Sequence, residues 1–267
     1  MGRGTSVKPL WFLSGTLDVM GQPSPVGPAS VVVDELEVAD LSPWFNSFLP
    51  YFVQEARRCG GEVRVVRDAG VVGGLVVSDP VERVASVFSR SRSIAEWFVR
   101  GRGPSGMYSD FSFEPRGEVF DIFVTPPGAE LPPHRFRHPI RPVVADDLPA
   151  VLELMREVYG GVNARWFEGL EATPEAGFIA EAGGRPVGAG WVSVVRNHAR
   201  LHSLAVRASH RRMGLGTDLL FARLLWARRA GAIDVLSEIS ERNAASRSIA
   251  VRAGMRRVGE IYFYPPT

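Results

Sequence analysis

Cysteine is nearly missing: Cys59 stands alone in 267 residues, which excludes an internal disulfide framework and a site built from clustered thiolates. Lysine is as scarce, Lys8 being the only one among 31 basic residues. The formal net charge is only +2, so the pI near 9.0 announces neither a nucleic-acid nor a membrane-surface partner. No run approaches the roughly 20 apolar residues of a membrane span, and the run at residues 10 to 13 is too short for the core of a secretory signal. A cytoplasmic protein is therefore expected. His134 and His138 have a His-x-x-x-His spacing but no Cys or carboxylate cluster beside them in sequence, so no metal is expected.

What the chain does have is apolar content, 45% of residues, enough for a buried core. Prolines crowd positions 126, 127, 132, 133, 139 and 142. Proline cannot donate to a sheet and biases its predecessor towards extended backbone, so this stretch reads as a stiff linker. It divides the chain into units 1–130 and 139–267.

In the second unit an apolar strand-like run, Leu204-Ala205-Val206, leads to Arg211-Arg212-Met213-Gly214-Leu215-Gly216-Thr217 and then to a long helical pattern. Glycines at 214 and 216 remove side chains where a backbone must approach an anion, and the first free N–H groups of a helix, with its dipole, favour negative charge. Such a turn can hold a pyrophosphate, or be an ordinary surface turn opening a helix. No Lys-Ser/Thr pair follows as in a P-loop, and no third glycine as in a dinucleotide fingerprint.

Arg211, Gly214 and Gly216 fit Arg-x-x-Gly-x-Gly, and the segment resembles the pyrophosphate loop of the GNAT acetyltransferases. Its context agrees. Residues 140 to 155 read as a short strand, an Asp cap at 146 or 147 and an amphipathic helix. Residues 178 to 181 and 187 to 195 are β-rich runs around Gly183-Gly184-Arg185-Pro186, a hairpin signal. After the glycine-rich helix, residues 233 to 239 form a strand bearing Glu238, and Asn243, Ser246, Gly254 and Met255 match the second signature of that family. The resemblance covers residues 139 to 267 and implies a mixed α/β fold, a central mixed sheet flanked by helices.

It also implies acetyl-CoA as cosubstrate, an amine as acceptor (small molecule or protein), and direct attack of a primary amine on the thioester. The cosubstrate would be held by Leu204, Ala205, Val206, Arg211, Arg212, Met213, Gly214, Leu215, Gly216 and Thr217, with Asn243 and Ser246 on its pantetheine or pyrophosphate region. Val206 or a neighbour would supply the oxyanion N–H. Glu238 would be the general base, directly or through a water, or else a solvent-facing strand residue; His202 is a second base candidate or a structural histidine. The family's frequent Tyr acid falls at Ala250, leaving water, Tyr262 or Tyr264 to serve, unless the two tyrosines merely pack on an edge. The alternative is a non-catalytic, CoA-binding or regulatory protein. Nucleic acid and membrane are not expected as partners; a homodimer is left open.

In the front unit, residues 41 to 58 carry an approximate helical stripe interrupted by Pro50. Residues 62 to 66 and 71 to 77 look like a hairpin equivalent to the later one. The unit is thus read as a degenerate second copy of the same lobe, or as an unrelated α/β domain. Its helix candidate at 91 to 98 has no Gly-x-Gly at its start, so no anion cradle is expected there.

Overall fold

The computed structural model describes residues 29–32, 60–61, 63–68, 71–79, 84–89, 91–102, 106–159, 176–195 and 197–267. The helical stripe at 41 to 58, Cys59, Trp166 and Phe167 lie outside the described residues. Among the described residues twelve strands form one sheet: β1 (Ala29–Val32), β2 (Val63–Asp68), β3 (Val71–Asp79), β4 (Val84–Ser89), β5 (Gly106–Ser109), β6 (Glu118–Thr125), β7 (Ile140–Pro142), β8 (Ala176–Ala182), β9 (Arg185–Val195), β10 (His198–Val206), β11 (Asp234–Ser240) and β12 (Arg256–Tyr264). The helices are α1 (Arg92–Arg100), α2 (Leu148–Tyr159), α3 (Leu215–Arg229) and α4 (Ala244–Arg252). Among the described residues no helix is long and apolar enough to cross a membrane.

The spatial order is β1-β2-β3-β4-β5-β12-β6-β11-β10-β9-β8-β7. Each half repeats one pattern of pairing. In the second half β7, β8, β9 and β10 pair antiparallel in turn, and β10 lies parallel to β11 across the α3 crossover. In the first, β1 to β4 pair antiparallel in turn, and β4 lies parallel to β5 across α1. Beyond that point the halves exchange strands. β12 enters between β5 and β6, while β6 enters between β11 and β12, all antiparallel. The sheet therefore runs unbroken past the proline-rich segment, which packs as an extended strap on the second half through Leu131 against the core and Pro132 against Gly254.

Local chemistry explains the elements that carry the site. The β8–β9 turn is Gly183-Gly184 with both φ values positive, 59° and 74°, the twist a two-residue hairpin requires. On neighbouring strand residues opposite faces are covered: Phe178 and Val192 pack under α3, Ile179 and Trp191 under α2. Trp191 is thus a core residue. Asp147 does not cap directly but reaches back to accept the Val144 N–H at 2.8 Å, and it pairs with Arg141.

Tyr262 and Tyr264 do not lie on an edge, because β12 is interior. Both belong to the front-half core; the Tyr264 hydroxyl accepts from the Phe113 N–H and donates to the Phe111 carbonyl. Burial, helped by Glu260, pushes the Tyr262 phenol up to about 12. Neither lines the cavity described below, so neither is placed to protonate a leaving group there.

One front-half carboxyl makes the fold pH-sensitive. Burial, opposed by the main-chain N–H groups of Ser89 and Asp110 itself, pushes the Asp110 carboxyl up from 3.8 to about 7; its Oδ1 is buried without a partner among the described residues. The folded state holds this proton more tightly than the unfolded chain. The contribution is therefore fully present below pH 4 and lost as pH rises towards 7, by a few kcal/mol at most, at about 1.4 kcal/mol per pH unit. Asp110→Asn is expected to raise Tm at pH 8 and leave it nearly unchanged at pH 4, in thermal melts across that range.

Candidate acyl-CoA site

β10 and β11 pair only from His198 to Leu201 on β10. At that point β10 carries a bulge against β9, the register shifting between His202 and Ala205, with Ser203 at φ 55°. A non-glycine residue at positive φ is sterically unfavourable and is tolerated where the surroundings enforce it. The bulge turns β10 away from β11 and opens a cleft between two strands that began as neighbours. The Ala205 main chain pairs with Ala189 of β9, and the Arg207 N–H donates to the Val187 carbonyl. By alternation, the main-chain groups of Leu204 and Val206 face the other way, into the cleft.

Beyond Val206 the chain makes a 3-10 turn (Ala208–His210) and enters α3 through Arg212 at φ 64° and Gly214 at φ 96°. The Gly214 carbonyl accepts the N–H groups of Thr217 and Asp218. Among the described residues no protein acceptor takes the N–H of Gly214, Leu215 or Gly216, which are three of the orphan donors every helix start presents. Met213 and Arg212 are exposed. Arg211 is partly committed, its Nε donating to the Val206 carbonyl at 3.1 Å.

Behind this loop lies a carboxylate that the sequence reading left out. Asp218, 1% exposed, takes His134 Nε2 at 2.8 Å on one oxygen and His138 Nδ1 at 2.7 Å on the other, which also accepts the N–H groups of Arg137 and His138. The two histidines set aside as metal ligands are thus hydrogen-bonded to one carboxylate, and the proline-rich strap is fastened to the first turn of α3. His134 also stacks on Phe221, ring centroids 4.1 Å apart. Among the described residues no group of His, Cys, Asp and Glu is arranged to hold a metal.

The cleft contains a cavity of about 220 Å³ lined by Leu204, Ser203, His202, Glu238, Asn243, Ser246, Ala250, Tyr159 and Arg223. The cavity thus joins the bulged strand and the second signature; Val206 and residues 211 to 217 do not line it, and the loop meets this wall where Gly216 approaches Ile249. Asn243 caps α4, its Oδ1 accepting the Ser246 N–H at 3.1 Å. Glu238 faces the cavity rather than solvent, and both its oxygens accept from Arg200 Nε at 3.0 Å. His202 Nε2 is bonded to Ser193 Oγ at 2.7 Å.

Two cavity residues escaped the sequence reading. Tyr159, at the end of α2 and about half exposed, donates its hydroxyl to the Leu204 carbonyl at 2.8 Å. Arg223 of α3 is 2% exposed. A signal for it existed: Arg223 shares a helical stripe with Leu219 and Ala227, where an apolar side chain is the rule.

Residues 148–255 match the family model described as Acetyltransferase (GNAT) family. The match assigns a GNAT acetyltransferase domain to those residues rather than to the chain as a whole. A GCN5-related N-acetyltransferase from Sphaerobacter thermophilus superposes with a TM-score of 0.56 at 15% identity, over 75% of this chain and 79% of that one. A putative GNAT acetyltransferase from Novosphingobium aromaticivorans gives 0.53 at 11% identity, over 77% and 88%. A tandem GNAT protein from the clavulanic acid biosynthesis pathway gives 0.51 at 16% identity, over 76% and 81%. These likenesses are of fold. A comparison with curated proteins returned no match.

Proposed function

We propose that residues 139–267 transfer an acetyl group from acetyl-CoA to a primary amine, small-molecule or protein-borne, in the cytoplasm. The observation that carries this reading is the row of unclaimed amides at Gly214, Leu215 and Gly216, opening beside the cleft where β10 leaves β11. A diphosphate accepts such N–H groups at a helix start, with Arg211, Arg212 and Thr217 at hand. Leu204, Ala205 and Val206 border the pantetheine path, and Asn243 and Ser246 its far wall.

When bound, the thioester supplies an activated acetyl group; the amine nitrogen bonds to its carbonyl carbon, the carbon–sulfur bond breaks, and the thiolate takes a proton. An amine of the lysine type is mostly protonated at neutral pH, so a base is required. Glu238, oriented by Arg200, takes that proton directly or through a water. The Val206 N–H, turned into the cleft, is the oxyanion donor. Ala250 cannot protonate the leaving thiolate; Tyr159 and water can.

Glu238→Gln should lower kcat about 10²- to 10³-fold with little change in the KM for acetyl-CoA, measured with labelled acetyl-CoA and a panel of amines. CoA binding without turnover on any amine, with Glu238→Gln silent, would favour the second reading: a CoA-binding, regulatory lobe. Ala250 and the Arg200 ion pair on Glu238 support that reading. We also propose that residues 1–130 are a second, non-catalytic lobe of the same descent, supported by the shared order of strand pairing.

A further inference from the structure

Arg223 is a cation in the wrong place for a structural residue. It projects from the third turn of α3 into the sheet and is 2% exposed, and Gly190 makes room for it: a Cβ there would stand 3.1 Å from the guanidinium carbon. Its Nε donates to the Leu219 carbonyl, and Nη1 donates to the carbonyls of Trp191 and His202, the paired residues beside the bulge. Those three acceptors are neutral. Among the described residues no carboxylate pairs with it, and Nη2, with two N–H groups, has no protein acceptor.

Burying a charge without a counter-ion is among the most unfavourable arrangements a core can hold. The burden is visible in the group itself, since burial pulls the Arg223 guanidinium down to about 10, opposed only by Tyr159. Yet the guanidinium is not sealed in. Arg223 lines the cavity together with Tyr159, His202, Ser203 and Glu238. Glu238, the one carboxylate of that group, already has both oxygens on Arg200. Among the described residues the cavity therefore presents one uncompensated positive charge, with a planar pair of donors, beside the bulge where the acyl carbonyl would sit.

We infer that this cavity binds a carboxylate on Arg223 Nη2, so that one of the two reactants carries a carboxylate close to the reacting centre. The inference rests on the acetyl-transfer reading only for the identity of the reactants. Two sources have the same chemistry: an acyl donor ending in a carboxylate, or an amine acceptor that bears one, as an amino acid does. A guanidinium holds a carboxylate by charge-assisted hydrogen bonds, which neutral isosteres of equal size cannot form.

Calorimetry on the full chain separates the sources. One arm compares succinyl-CoA with butyryl-CoA; the other, at saturating CoA, compares L-amino acids with their primary amides. The expected result is a preference of about tenfold or more for the charged member in one arm, and its loss in Arg223→Gln. Gly190→Ala, which pushes on the guanidinium but keeps the charge, should weaken the same preference and serves if Arg223→Gln does not fold. Equal binding of charged and neutral members in both arms overturns the inference, as does a preference that survives both substitutions. Binding of CoA alone to the wild-type chain is the separate check: its absence would sink the acetyl-transfer reading, whereas CoA binding without carboxylate preference sinks only this one.

Discussion

Replacing Gly214 by valine is expected to weaken CoA binding by about 10²- to 10³-fold. Two effects add. Gly214 sits at φ 96°, a conformation that costs an L-residue roughly 1–2 kcal/mol and a β-branched one more, so the loop would relax away from its present path. The valine methyl groups would also stand over the N–H groups of Gly214, Leu215 and Gly216, each worth about 1.5–3 kcal/mol when it donates to a charged phosphate. A loss of 3–4 kcal/mol is two to three decades of affinity.

The added Cβ itself meets only side chains, Arg137 at 3.4 Å and His138 at 3.8 Å, so the fold tolerates the substitution. Gly184→Val supplies the control. That glycine has φ 74° and open space around it, and its hairpin turn does not line the cavity. It should lose stability and keep CoA affinity. Titration calorimetry on both variants distinguishes them, and equal affinity of Gly214→Val and wild type would remove the loop from the site.

The parts of this site legible in the sequence are those written in contiguous residues. The Gly183-Gly184 hairpin, the turn from Val206 to Gly216, and the β11–α4 unit ending at Gly254 each combine a periodicity with a residue that only one backbone conformation suits, and each stands where it was expected. Glu238 was assigned to the right strand but not to a face, because alternation alone leaves two choices; the cavity and Arg200 make the choice.

What stayed illegible depends on residues far apart in the chain. β12 reads as a terminal strand, hence an edge, yet it is interior because β6 and β12 each complete the other half's sheet. No local pattern encodes which strand fills a gap opened so far along the chain. Arg223 falls on the buried stripe of α3 with Leu219 and Ala227, but only Gly190, on another strand, shows how a charged side chain is given room there. The same holds for the histidines of the proline-rich strap, whose partner lies some 80 residues downstream.

That partnership carries the largest stability effect expected in the molecule. Asp218→Ala should lower stability by about 3–5 kcal/mol, the usual result of removing one member of a buried, hydrogen-bonded charged network. The substitution strands the N–H groups of Arg137 and His138 and both imidazoles at a part-buried site. An unpaired buried donor alone costs about 1–3 kcal/mol.

Asp218→Asn restores one acceptor and should recover part of the loss, because its oxygen can serve one side of the network while its NH₂ group opposes donors on the other. Affinity should follow stability here. An acidic side chain in the first turn of α3 would ordinarily compete with a bound anion for the helix start, but the strap takes up both of its oxygens, and among the described residues the amides of Gly214, Leu215 and Gly216 have no acceptor. Freed from Asp218, the strap would also carry Arg137 away from Gly214. Chemical denaturation of Asp218→Ala and Asp218→Asn, with and without CoA, tests both points: a ΔG within about 1 kcal/mol of wild type would show that the strap is fastened by its prolines and Leu131 rather than by this carboxylate.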